Sequence, residues 1–353
     1  MYKIKCNHLN KIEIQITNPD MSIYLNKYKN NMGIKNLHKF IRSECKNSIR
    51  PISLYELSGK KIAVDISIYM FKYTADGCLI ENIYLMLTLF THYNIVPIFI
   101  FDGKPPAEKK ELILRRREDR KEAETKYNLL KQQLDAGDFD DQDISSSMDV
   151  LKKKLINVTK SDFDNVKKLI TAHGCTYYDA PGEADELCAY LTIKGKVWAC
   201  LSEDMDMFVY GCTRVIRFIS LINKTAVLYD HKSILHELKI SQKELREICV
   251  LSGTDYNIQS HSDADKYCPT LYNTLKLFKK YKKNKTHTDF YDWVGENTTY
   301  IVDYDMLLKI NTMFDICQNE ELKVFDSIKI VNGCKNADMM TDMLKTVGFI
   351  FPE

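Results

Sequence analysis

Three short apolar segments in this chain each run into an acidic residue. They are Lys60–Asp65 (KKIAVD), Val96–Asp102 (VPIFIFD) and Val197–Ser202 (VWACLS), the last followed by Glu203 and Asp204. Segments this short and this apolar are strands buried on both faces, which is the habit of parallel sheets. Parallel strands need long crossovers, and the intervening sequence supplies helices. Asn82–Tyr93 is an apolar helix, and Lys109–Gln133 is a long polar one rich in strong helix formers. Phe163–His173 stops at Gly174, Pro181–Ile193 opens on proline and is followed by Gly195, and Gln242–Leu251 ends at Ser252-Gly253. The expectation is an α/β fold with a mostly parallel central sheet flanked by helices. Gly137–Met148 (GDFDDQDISSSM) reads as a loose, biased loop.

The acids matter because sites in open α/β sheets form at the carboxyl ends of strands. Asp65, Asp102, Asp204 and Asp206 stand at such ends. The helix at Pro181 adds Glu183 and Asp185, and a Gly-Thr-Asp turn adds Asp255. One acid after a strand is ordinarily the cap of the next helix. Seven exceed what capping explains, and gathered on one edge they repel one another unless a cation neutralises them. An all-oxygen donor set without a Cys/His cluster suits Mg²⁺, with Mn²⁺ as a substitute. Two such ions about 3.5–4 Å apart stabilise the attacking and leaving oxygens of phosphodiester cleavage.

Other chemistries find little support. The 11 cysteines are an odd, scattered set with no C-x-x-C pair, which argues against disulfides and structural zinc and for a reducing intracellular compartment. Neither a phosphate-loop signature nor G-x-S-x-G occurs. No apolar run approaches the length of a bilayer, and the first residues show no secretory apolar region. The net charge of +2 conceals strong local separation. Gly103–Lys131 holds ten bases and six acids, Gln132–Leu151 six aspartates and no base, Lys152–Lys168 six lysines and two aspartates, and Lys266–Thr288 seven lysines and no acid. Basic stretches separated by acidic ones look like stripes that follow a polyanion. Lys153, Lys154, Lys279 and Lys280 are the candidate phosphate contacts within them.

Six motifs occur in a fixed order: Met32-Gly33-Ile34 before an amphipathic helix, Ile62–Asp65, Phe101–Pro106 (FDGKPP), Ala180–Asp185 (APGEAD), Ser202–Asp206 (SEDMD) and Leu251–Tyr256 (LSGTDY). In these the chain resembles the flap endonuclease/xeroderma pigmentosum group G (Rad2-like) family of metal-dependent 5′ nucleases, over roughly residues 32–260. The resemblance implies a PIN-like nuclease core at 32–102 and 161–260, a helical arch at 103–160, and a helical C-terminal region at 261–353. Residues 1–31 form an extension ahead of the expected start at Met32. The family's helix-hairpin-helix is degenerate here, since Asn257–Pro269 lacks the glycine that lets main-chain N–H groups approach phosphates.

The same resemblance assigns roles. Asp65, Asp102, Glu183, Asp185, Asp204, Asp206 and Asp255 match the metal-site acids, Asp185 standing where typical flap endonucleases carry Glu. Lys109 and Arg116, seven apart on one helix face, match the cations that hold the scissile phosphate. Tyr69 matches an aromatic that stacks on a base, and Gly33 and Arg115 join the DNA contacts. The implied activity is Mg²⁺-dependent hydrolysis of DNA carrying a 5′ flap or a free 5′ end, in replication, repair or recombination. A 5′ to 3′ exonuclease on DNA or RNA, and a non-catalytic scaffold of the same fold, are the alternatives. A monomer is expected, with no membrane partner. The C-terminal GFIFPE lacks a sliding-clamp motif. Richness in Lys, Asn, Ile and Tyr suits an A·T-rich genome such as that of a large DNA virus, with the nucleus or a cytoplasmic replication site as the place of action.

Overall fold

The computed structural model describes residues 34–135, 141–257, 270–284 and 289–349. Gly33, the extension at 1–31 and the glycine-free stretch at 258–269 lie outside them.

The chain runs α1 (Leu37–Glu44), β1 (Ile49–Ser53), β2 (Lys61–Asp65), α2 (Ile66–Ala75), α3 (Leu79–His92), β3 (Val96–Phe101), α4 (Lys110–Asp135) and α5 (Asp141–Lys154). It continues α6 (Lys160–Ala172), β4 (Thr176–Asp179), α7 (Ala184–Ile193), β5 (Ala199–Leu201), α8 (Asp206–Tyr210), β6 (Arg214–Ser220) and β7 (Thr225–Asp230). The remaining helices are α9 (His231–Leu238), α10 (Gln242–Ser252), α11 (Leu271–Asn284), α12 (Phe290–Asn297), α13 (Tyr304–Met313) and α14 (Ala337–Thr346). The seven strands form one sheet in the order β1-β7-β6-β5-β2-β3-β4. β6, β5, β2, β3 and β4 are parallel, and β7 and β1 add an antiparallel margin.

Both faces of the sheet are covered, as the unbroken apolar strands require. Ile62, Val64, Phe99 and Phe101 enter the core under α2, α3 and α6. Ala63, Ile98, Ile100 and Cys200 enter the other, under α7. Ala63 is small and fully buried, so α7 packs close against β2 at the sheet centre. This brings the N-terminus of α7 beside the ends of β2 and β3.

Several expectations need correction. β1, β4, β6 and β7 are strands that the reading of three acid-ending segments did not include. Of the loop expected at 137–148, residues 137–140 lie outside the described ones and the rest, from Asp141, is helical; α5 packs along α4. Lys109 precedes α4 in a 3-10 turn, Ala107–Lys109. The helix expected from Pro181 starts at Ala184, with Glu183 as its N-cap residue.

The C-terminal region is fastened to the nuclease core. Tyr190 donates to Asp326 at 3.0 Å, Asn319 to Glu186 at 2.7 Å, and the N–H of Gly333 to Gly174 O at 2.6 Å. Lys309 of α13 pairs with Glu108 at 2.8 Å, tying this region to the turn that precedes α4.

Candidate metal centre

A close backbone approach builds the site. Gly103 follows Asp102, and its N–H donates to Gly182 O at 2.7 Å. A Cβ on Gly103 would lie 1.9 Å from Ala180 O, so only glycine lets the two loops cross. The crossing sets Asp102 against the start of α7, where its Oδ1 accepts from Ala184 N at 2.9 Å. Asp102 thus satisfies an N-terminal amide of α7, while the Glu183 side chain makes no capping bond and is free to turn elsewhere.

Ser202 links the next pair of elements. Its Oγ donates to Asp65 Oδ2 at 2.9 Å and accepts from Asp204 N at 3.1 Å. Asp206 N then donates to Asp204 Oδ1 at 2.9 Å. The end of β2 and the turn after β5 are in this way held in register.

Asp185, Asp204 and Asp206 are buried, and one carboxylate oxygen of each lies within 4.8 Å of the other two. Asp206 Oδ1 is buried with no hydrogen-bond partner among the described residues. Burial and then Asp102 push the Asp65 carboxyl well above the usual range. Burial followed by Glu183 and Asp204 does the same to Asp185, and burial followed by Asp204 and Asp255 to Asp206. Asp204 is raised mainly by burial, against the amide of Asp206 that favours its charged form. All seven predicted acids therefore belong to one electrostatic neighbourhood, with Asp185, Asp204 and Asp206 at its centre and Asp102 exposed at its rim. An orphaned buried oxygen among mutually repelling oxygens is the donor set a hard divalent cation fits.

Two cations reach in, Lys109 from the turn before α4 and Arg116 from α4 itself. Lys109 Nζ lies 2.5 Å from Glu183 Oε1 and 5.4 Å from the centre of the Tyr256 ring, and the Tyr256 hydroxyl donates to Glu183 Oε2. Burial works against the Lys109 charge, but Glu183, Asp185 and Asp255 outweigh it and raise its pKa above the ordinary value. Arg116 Nη2 lies 3.2 Å from Asp255 Oδ2. Both predicted phosphate-holding residues thus point into the acid neighbourhood.

Other expectations meet different outcomes. Tyr69 does not offer a face to a base: it is 0% exposed, packed 6.0 Å from Tyr73, with its hydroxyl on Glu203 at 3.4 Å. The exposed aromatic of α2 is Phe71, at 45%. Arg115 pairs with Glu111 at 2.7 Å on the surface of α4. Lys154 is exposed at the end of α5, and the Lys153 side chain lies outside the described ones. Lys279 and Lys280 are exposed on α11, whereas Lys282 pairs with Glu244. Sequence reasoning passed over Ser202 and Tyr256, although each belongs to a quoted motif, and it passed over Arg217 on β6, which carries no motif signal.

The family model for the XPG N-terminal domain matches residues 32–123, and that for the XPG I-region matches residues 174–255. Flap endonuclease 1 of Drosophila yakuba is 29% identical over 79% of this chain and 74% of its own length. The mouse protein of that name is 34% identical over 64% of this chain and 61% of its own length. A probable RAD2-like endonuclease of Invertebrate iridescent virus 6 is 29% identical, covering 64% of this chain and 67% of its own. Among solved structures, the catalytic core of Rad2 in complex with DNA substrate superposes with a TM-score of 0.60 at 21% identity, covering 89% of this chain and 94% of that one. Flap endonuclease-1 from Methanococcus jannaschii gives 0.55 at 20% identity over 86% and 91%. The Rad2 and archaeal likenesses establish a shared fold.

Proposed function

The chain belongs to the XPG (Rad2-like) family of nucleases, and from that premise we propose that it is a structure-specific 5′ nuclease that hydrolyses DNA phosphodiester bonds near single-strand/duplex junctions. The observation that carries this reading is the convergence of Asp185, Asp204 and Asp206 at one point, with Lys109 and Arg116 reaching toward it from the arch.

Asp185, Asp204 and Asp206 would hold divalent ions, with Asp65, Asp102, Glu183 and Asp255 around them; Mg²⁺ is the proposed ion and Mn²⁺ a substitute. Bound ions supply an activated water and neutralise charge on the phosphate oxygens. The chain's own groups do the rest. Lys109 and Arg116 leave their carboxylate partners to hold the scissile phosphate and stabilise its developing charge. Lys109 acts from a largely buried position, which strengthens its interaction, whereas Arg116 acts from a half-exposed one. With Tyr69 buried, Phe71 is the exposed aromatic that α2 offers for stacking on a base.

The arch at 103–160 guides the 5′ strand, and exposed Lys154, Lys279 and Lys280 hold phosphates of the flanking nucleic acid. The core at 32–102 and 161–260 acts as one unit with the C-terminal region, as a monomer on DNA. Sliding-clamp contact is not part of this proposal. No helix among the described residues is long and apolar enough to cross a membrane.

The test is a double-flap oligonucleotide incubated with and without Mg²⁺, alongside the Asp204→Asn variant. One long flap product that requires Mg²⁺ and Asp204 supports the proposal. Mononucleotides instead support the exonuclease alternative, and no cleavage of any flap supports the scaffold.

A further inference from the structure

The turn that carries Asp204 and Asp206 is fastened from behind by one buried guanidinium. Arg217 lies in β6, beside β5, and is 6% exposed. Its Nη2 donates to the main-chain carbonyl of Glu203 at 2.7 Å, and its Nη1 reaches Met205 Sδ at 2.7 Å. One planar group therefore grips the residue before Asp204 and the residue after it.

The grip is built into an irregular stretch of sheet. The ladder between β6 and β7 shifts register between Arg217 and Ser220. Phe218, in that bulge, has φ +54°, a left-handed conformation that bulky side chains rarely adopt. Its N–H donates to Glu203 Oε1 at 2.7 Å. The guanidinium lies over the Phe218 ring at 4.8 Å and near the Tyr229 ring at 5.7 Å, which fixes its plane. Arg217 Nε stands 3.6 Å from Glu203 Oε2, and neither atom has a hydrogen bond among the described residues.

Such an arrangement is a poor way to fill a core. A buried, incompletely hydrogen-bonded ion pair stabilises less than apolar side chains of the same volume. A strained bulge that aims an amide at a carboxylate is a feature associated with functional sites. What this one secures is the path of the main chain from Glu203 to Asp206, against the mutual repulsion of the carboxylates it presents.

We propose that Arg217 is a positioning residue of the metal centre, holding the Glu203–Asp206 turn so that Asp204 and Asp206 stay converged with Asp185. Its effect on cleavage rests on the nuclease reading above, whereas its effect on cation binding does not.

The test compares Arg217→Lys and Arg217→Met with the unaltered protein, using Ca²⁺ alone in isothermal titration and Mg²⁺ in cleavage of a double-flap substrate. Lysine keeps the charge and loses the rigid fork. Both variants, folded by circular dichroism, are expected to bind Ca²⁺ at least tenfold more weakly. In cleavage, kcat falls at least tenfold and recovers in part as Mg²⁺ is raised, while KM for DNA stays within twofold. A folded Arg217→Lys protein with an unchanged Ca²⁺ isotherm overturns the proposal, because charge alone then suffices. Should both variants fail to fold, Glu203→Gln decides: Ca²⁺ binding weakened threefold or more supports the proposal, and an unchanged isotherm overturns it. If the unaltered protein cuts no DNA, the nuclease reading fails while the Ca²⁺ isotherms still judge Arg217.

Discussion

Lys109 Nζ sits 2.5 Å from Glu183 Oε1 with only 14% and 16% of the two side chains exposed, so a cation of the chain already occupies a carboxylate of the proposed metal centre. Replacing Lys109 with Met removes that competitor and deepens the negative field of the acids. Ca²⁺ binding without DNA tightens by roughly tenfold, as expected for a unit charge within a few ångströms of the ion. Cleavage moves the other way, falling by about 10²–10³, because the developing phosphate charge loses its buried partner. Isothermal titration and single-turnover cleavage read the two arms. Weaker Ca²⁺ binding in this variant contradicts the arrangement.

Asp204 accepts from Asp206 N while crowded by its neighbours, so Asp204→Asn keeps the shape and removes a charge. Cleavage is expected to fall below detection with flap-DNA affinity held within about threefold, since most contacts that position nucleic acid are made to phosphates elsewhere. Melting in EDTA shifts upward by roughly 2–4 °C for each ~1 kcal/mol of relieved repulsion. A lower melting temperature in EDTA would sink this account of the cluster.

The buried carboxyls also set a pH dependence. Burial and neighbouring acids raise the folded-state pKa of Asp65, Asp185 and Asp206 above the unfolded value of about 4. Their contribution to stability is fully present below about pH 4 and is lost as pH rises through the raised folded values. The melting temperature in EDTA should therefore decline from mildly acidic to mildly alkaline pH. Added Ca²⁺ should restore more stability at the alkaline end, where it displaces no protons. Calorimetry at several pH values checks this; a Ca²⁺ effect independent of pH contradicts it.

Gly103→Ala should cost about 1–3 kcal/mol or more, the range for forcing extra atoms into a packed site, because its Cβ meets Ala180 O at 1.9 Å. Cleavage should suffer further, since Asp102 and Glu183 move apart. Gly295→Ala in α12 is the control: nothing lies within 4 Å of its Cβ, and helix propensity favours the change by up to about 1 kcal/mol. Denaturant unfolding compares the two.

Phe71→Ala should weaken flap-DNA binding by about 1–3 kcal/mol, the worth of one stacked base, while Tyr69→Phe leaves it unchanged. Fluorescence anisotropy with Ca²⁺ in place of Mg²⁺ measures both. The opposite ranking would return the role to Tyr69.

The acids were legible because each lies in a local motif, Asp65, Asp102, Asp204 and Asp206 beside strand ends that the sheet brings together, Glu183 and Asp185 at the start of α7, and Asp255 in the turn after α10. The aromatic was not. α2 carries Tyr69, Phe71 and Tyr73 in close succession, and only tertiary packing decides that Tyr69 and Tyr73 go inside. The start of α7 was misplaced because Pro181 resembles a helix opener, whereas the Pro181-Gly182 backbone serves the crossing with Gly103. Asp141–Met148 has the composition of a loop, yet packing along α4 makes it helical. Arg217 is a single basic residue in a strand, and its contacts with residues 203 and 205 exist only once β5 and β6 lie side by side.

The crossing of Gly103 with Ala180–Gly182 has a bearing on how such a chain can diversify. α4 and α5 lean chiefly on each other, so that segment can lengthen, shorten or be recharged and, under the proposed function, alter which strands it admits. A single residue inserted between Asp179 and Glu183 would displace Asp102 and the start of α7 together. Specificity is thereby left free to drift, while the chemistry is inherited whole.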